Sequence, residues 1–132
     1  MRIEVSQLPP FEYSPNWRGS WFDRYQAGLV YRNAVFYSCV EARNRAALYG
    51  YPKPFNKARL DLTFVFPLRR RRDRDNLQAR FKPGQDAIVA AGLVRDDDVE
   101  HLIIGNVNIE VDPKRAPLTI IELEEEGDYN KE

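Results

Sequence analysis

The sequence predicts an α+β fold: one small domain in the order β-α-β-α-β-β, with helices packed on a mixed sheet. Three observations carry this expectation. A stretch from Trp21 to Leu48 repeats apolar residues at helical spacing, Ala58 to Phe66 alternates in the manner of a strand, and two further strand-like runs follow Leu102 and Leu118 with no helix between them. The 132 residues suffice for one core. The expected division is a domain over 1–123 and an acidic, frayed tail over 124–132.

Taken in order, Arg2 to Leu8 alternates loosely and stops at Pro9-Pro10, which predicts a first strand. Ser14-Pro15-Asn16 and Gly19-Ser20 are turn formers, and Ser20 is placed to cap a helix beginning at Trp21. No proline interrupts that helix before Leu48, and the spacing of Tyr25, Leu29, Phe36, Val40 and Ala47 marks its expected buried face. Gly50 and Pro52-Lys53-Pro54 end it. In the second strand Ala58, Leu60, Leu62, Phe64 and Phe66 alternate with Arg59, Asp61, Thr63 and Val65, and Pro67 stops the run. A helix over about 76–91 buries Leu77, Phe81, Ile88 and Ala91, is kinked or divided by Pro83-Gly84, and is capped by Gly92. The third strand sets Ile103, Val107, Ile109 and Val111 on one side and Leu102 and Ile104 on the other. With a turn at 112–115 and a last strand over 118–123, it reads as an antiparallel hairpin.

Composition excludes several classes. No apolar run approaches the roughly 20 residues that span a bilayer, and no apolar segment follows a basic start, so a cytoplasmic protein is expected. One cysteine, Cys39, and one histidine, His101, supply neither an internal disulfide nor a structural zinc site of the usual kind. The zero net charge conceals a division: residues 122–132 sum to −5, which leaves +5 on the first 121. The densest positive cluster, Arg69, Arg70, Arg71, Arg72 and Arg74, suits a polyanion such as nucleic acid.

Asp73 and Asp75 stand inside that cluster, just past a strand end. In an extended segment they project to the same side roughly 7 Å apart. A strand-helix-strand unit returns a second acidic group, Asp96, Asp97 and Asp98, beside them. Clustered carboxylates repel one another unless a cation joins them, so this convergence predicts an oxygen-liganded ion, magnesium first and manganese second. Such a site performs phosphodiester hydrolysis, with the arginines on backbone phosphates and Lys82 neutralising developing charge.

The run Arg69 to Gln78, with Lys82, Asp86, Gly92 and Asp96-Asp97, resembles the core of the RusA-type Holliday junction resolvases, a family of crossover junction endodeoxyribonucleases of bacteria and phages. Leu8-Pro9-Pro10 and Ser14-Pro15-Asn16 resemble that family's opening segment, so the likeness covers most of the chain. It implies a homodimer that binds a four-way DNA junction in recombination and repair and nicks two strands symmetrically. It also implies Mg2+ held by Asp73, Asp75 and Asp97, with Lys82 as the catalytic lysine. Ala79-Arg80-Phe81 stand between the acidic stretch and Lys82 where the family has its lysine sooner, so Arg80, otherwise counted among the DNA-binding arginines, rivals Lys82.

Two other functions stay open at this level: a broader nuclease of flaps and forks, and a non-catalytic DNA-binding protein whose acids only keep the loop soluble. Cys39 is expected in the core, His101 as a partly exposed residue beside the acidic turn, and Trp17, Trp21 and Tyr25 as aromatics that seal the core.

Overall fold

A computed structural model describes residues 1–50 and 53–127. Four strands, β1 (Arg2–Val5), β2 (Ala58–Phe66), β3 (Leu102–Val111) and β4 (Leu118–Glu125), form one mixed sheet in the order β1-β4-β2-β3. Three helices, α1 (Trp21–Ala47), α2 (Arg74–Arg80) and α3 (Lys82–Ala90), complete the α+β domain, with a 3-10 turn at Phe11–Tyr13. No helix among the described residues is long and apolar enough to cross a membrane.

Local signals set most boundaries. The Ser20 hydroxyl accepts the Asp23 N–H at 3.1 Å and starts α1 at Trp21. Pro83 falls in the first turn of α3, where its missing N–H costs nothing, so the chain divides at Phe81 into two helices instead of kinking one. Gly92, at φ +79°, closes α3: its N–H reaches the Val89 carbonyl, and the Leu93 N–H reaches that of Ile88. Leu77, Phe81, Ile88 and Ala91 are all buried, as their spacing predicts. The first strand stops at Val5, short of Leu8, and the last continues to Glu125. The acidic end is therefore strand for two residues past Leu123, with Arg59 opposite Glu124 and Ala58 opposite Glu125. Residues 128–132 of the expected tail, and Pro52 of the expected helix stop, lie outside the described residues.

The expected β3–β4 hairpin is not formed. β2 lies between the two strands, parallel to β3 and antiparallel to β4. Two helices between β2 and β3 make a crossover, which returns a strand parallel to its predecessor. Val65 and Thr63, on the face of β2 opposite Phe64, are buried as well, so β2 is a central strand with neighbours on both sides. The connection from Asp112 to Pro117 then steps over the end of β2, where the Asp112 N–H meets the Phe66 carbonyl at 2.9 Å.

A register shift between Leu60 and Leu62 changes the parity of β3. Leu102 and Ile104 therefore face the core with Val107 and Ile109, and Ile103 turns to the other face, contrary to the simple alternation. The Asp61 carboxylate accepts the Asn106 N–H at 2.6 Å and holds this bulge, and only glycine at 105 leaves room for that carboxylate.

The buried face of α1 also differs from the expected one. It consists of Gly28, Tyr31, Val35, Cys39 and Ala42, whereas Leu29, Phe36 and Val40 lie half-buried on its flank and Tyr25 and Ala47 are exposed. Small residues on this face let α1 approach α3 closely, and a Cβ on Gly28 would lie 2.9 Å from the Tyr13 ring and 3.6 Å from Pro83. Tyr31 and Val35 supply the bulk of this face, while the residues whose spacing stood out in the sequence lie on its flank.

Candidate active site

The arginine run leaves the sheet at the C-terminal end of β2, beside the parallel strand β3, the end of a parallel pair where ligands commonly bind. Arg72 anchors it. Its guanidinium lies 3.6 Å over the Phe66 ring and donates to the Arg70 carbonyl at 3.2 Å. Arg69, Arg70, Arg71 and Arg74 are exposed and make no ion pair among the described residues.

The expected extended geometry holds at Asp73 and ends there, because the helix has begun before Asp75. Asp73 caps α2, its Oδ1 accepting the Asp75 N–H at 2.9 Å, and Asp75 sits in the first helical turn. Both carboxylates are exposed, and neither is paired with a cation among the described residues. They border an open hollow of about 920 Å³ together with Phe11, Arg71, Arg74 and Ile109. The Oδ1 of the adjoining Asn76 is buried without a hydrogen-bond partner among the described residues.

Arg80 and Lys82 divide the two basic tasks. Arg80 is half-buried and donates through Nε to the Pro10 carbonyl at 3.2 Å and through a terminal nitrogen to that of Pro9 at 2.6 Å. It ties the Pro9-Pro10 segment to α2. Lys82 reaches the acids: its Nζ lies 2.5 Å from Asp97 Oδ2 and 2.9 Å from Asp86 Oδ1. The hydrogen bond that Lys82 donates to Asp97 raises the Lys82 pKa above the ordinary lysine value, and the same bond lowers that of Asp97. Gln85 Nε2 adds a longer contact to Asp97 at 3.5 Å. One helical turn separates Lys82 from Gln85 and Asp86, a spacing that could have flagged both residues as neighbours of the lysine.

The three consecutive acids do different things. Asp96 accepts the Asp97 N–H, Asp97 faces α3, and Asp98 accepts the backbone N–H groups of Glu100 and His101 while its Oδ1 stands 2.7 Å from His101 Nδ1. That imidazole bond holds the Asp98 carboxyl below the usual range. His101 is thus partly exposed and beside the acidic turn, as expected.

The crossover brings the two acidic groups to one side of the molecule without closing them into a ligand set. Asp75 and Lys82 line one groove with Tyr13, Arg24, Gln78 and Gln85, and Asp97 joins it through Lys82. Among the described residues, the metal-ligating atoms that gather within 4.8 Å belong to Asp96, Asp98 and His101, not to Asp73, Asp75 and Asp97. Arg24, which sequence reasoning missed, enters the groove through a 3.1 Å bond to the Ser14 carbonyl and its place 4.2 Å over the Tyr13 ring. Trp21 and Tyr25 do not seal the core: they are 73% and 49% exposed and stack on each other.

No protein-family model matches the chain, and neither does any curated protein.

Proposed function

We propose that the protein is a magnesium-dependent endonuclease of branched DNA that makes paired nicks in a four-way junction as a homodimer. This reading carries forward the resemblance to the RusA-type resolvases. The observation that supports it best is Lys82, which shares a groove with Asp75 and is paired with Asp97, beside an exposed arginine loop. The donor chemistry fits a hard cation. Asp73 and Asp75 present carboxylate oxygens without a cationic partner at the positive end of α2, and Asp97 supplies a third acid.

Asp73, Asp75 and Asp97 would hold the ion, which when bound supplies an activated water and neutralises charge at phosphorus. The exposed arginines bind the backbone on either side of the scissile phosphate. Asp97 and Asp86 fix the Lys82 ammonium on the groove wall and keep it protonated, so that it donates to a phosphoryl oxygen as negative charge builds there. Arg80 supports the site by holding Pro9 and Pro10 against α2.

The test is nicking of a labelled four-way junction beside linear duplex, with Mg2+ or chelator, by the wild type, Asp75→Asn and Lys82→Gln. The expected result is paired, Mg2+-dependent nicks by the wild type alone, with junction binding retained by both variants. One observation favours a second reading, a DNA-binding protein without catalysis: the capping bond of Asp73 already accounts for one of the acids. Binding by all three proteins with no cleavage in Mg2+ or Mn2+ would establish that reading instead.

A further inference from the structure

The exposed pair Trp21 and Tyr25 has no role in the fold or in the groove as described. Their rings stack with centroids 5.3 Å apart and planes inclined by only 15°, at i,i+4 spacing on the first turns of α1. Trp21 stands on the line that becomes the buried face, since Gly28, Val35 and Ala42 follow it at seven-residue steps and all three are buried. The helix therefore points this indole to the side that the core occupies further along, yet leaves 73% of it uncovered. Two turns on, a distance of about 10 Å along the axis, Gly28 meets Pro83, the residue after Lys82. Arg24, between the two aromatics in sequence, lines the groove that holds Asp75 and Lys82. The pair thus stands on the same turns of α1 that carry Arg24 into that groove.

Its surroundings favour an anionic, flat ligand. In sequence Arg18 precedes it and Arg24 lies within it, against one acid, Asp23, and the N-terminal end of α1 adds positive potential. An aliphatic partner prefers a concave pocket, whereas a pre-stacked pair of nearly parallel rings offers its flat outer face to a further ring at little ordering cost. A nucleobase matches such a face whatever its identity, and its phosphate then lies toward the arginines.

We propose that Trp21 and Tyr25 form a stacking platform for an unpaired nucleobase next to the cleavage groove. The platform makes unpaired bases at a branch part of what the protein recognises, and it rests on the reading of the groove as a nuclease site. Paired duplex hides its base faces and gains nothing from it.

The test compares the full chain with Trp21→Ala/Tyr25→Ala and with Trp21→Phe/Tyr25→Phe. Affinities for a short oligothymidylate and for linear duplex are read by anisotropy, with junction nicking and sedimentation on the same samples. Exposure of both side chains keeps the variants folded, which a thermal melt checks. The alanine pair is expected to lose roughly 5- to 150-fold in oligothymidylate affinity, the equivalent of stacking one base. Duplex affinity stays unchanged, and the phenylalanine pair restores most of the loss. Unchanged oligothymidylate binding by the alanine pair, while the wild type still nicks junctions, overturns the platform and leaves the nuclease reading standing. A loss that coincides with a dimer becoming a monomer also overturns it, by assigning the pair to contact between copies. A wild type that binds no DNA removes both proposals.

Discussion

Arg80 and Arg71 stand nine residues apart, and substituting each by alanine separates structural from DNA-binding arginines. Arg80 donates two charge-assisted bonds to the Pro9 and Pro10 carbonyls and is half-buried. Removing it strips the Pro9 carbonyl of its Arg80 donor and leaves the Pro10 carbonyl to the Tyr13 N–H, for a cost of about 1–3 kcal/mol. With an unfolding entropy of about 2.1 cal/mol/K per residue over the chain, that is a fall of about 4–11 °C in melting temperature. Arg71 is exposed and makes no ion pair or side-chain hydrogen bond among the described residues, so its removal leaves the melt unchanged. Its effect is on DNA: one lost phosphate contact reduces the slope of log K against log salt by about 0.9. Differential scanning calorimetry gives the first quantity and anisotropy titrations across a salt series give the second. An Arg80→Ala protein that melts with the wild type would refute the structural assignment of Arg80, and an unchanged salt slope for Arg71→Ala would remove that arginine from the DNA contact.

Three further outcomes follow from the packing. Gly105→Ala places a Cβ on the Asp61 carboxylate that holds the Asn106 N–H, and 2.5 Å from Arg59 Nε, so urea unfolding should show a loss of about 1–3 kcal/mol; combined with Asp61→Ala the two costs should fall well short of additive. Tyr31 and Thr119 share a buried 2.9 Å bond, and Thr119 donates on to the Gln7 carbonyl. Thr119→Val therefore strands the buried phenol and should cost about 1–3 kcal/mol, Tyr31→Phe about 1, and equal costs for the two would contradict the network. Burial pushes the Cys39 thiol up from 9.0 to about 12. The unfolded chain then releases that proton first, so stability falls as pH rises through 9 toward 12, and Cys39→Ala should flatten this slope; native Cys39 should also resist thiol reagents at pH 8, and rapid labelling there would show that the helix face is open.

What was legible in the sequence was local. The Ser20 cap, the alternation of β2, the break ahead of Pro83 and the Gly92 cap each depend on backbone chemistry within a few residues, and each lies where its signal stands. The placement of the arginines and of Asp73 and Asp75 just past the end of β2 was legible for the same reason. Even there the extended geometry expected of the two acids gave way to a helix start, because the Asp73 side chain caps the turn that contains Asp75.

Tertiary structure decided the rest. Whether β4 pairs with β3 or passes over it depends on how many neighbours the doubly buried β2 takes, and the parity of β3 depends on a bulge held by Asp61, 45 residues away. The buried face of α1 combines Tyr31 and Val35 with the small residues Gly28, Cys39 and Ala42, not the line of Leu29, Phe36 and Val40 that stands out in its spacing. Within the site, Arg80 is occupied by Pro9 and Pro10, some 70 residues distant, and Asp97 among three equal acids is the one that meets Lys82. Composition and spacing specify which side chains can bond and which local geometry each segment prefers. Partner choice between distant segments is a competition settled by packing of the whole chain, and that information is carried by no single stretch of the sequence.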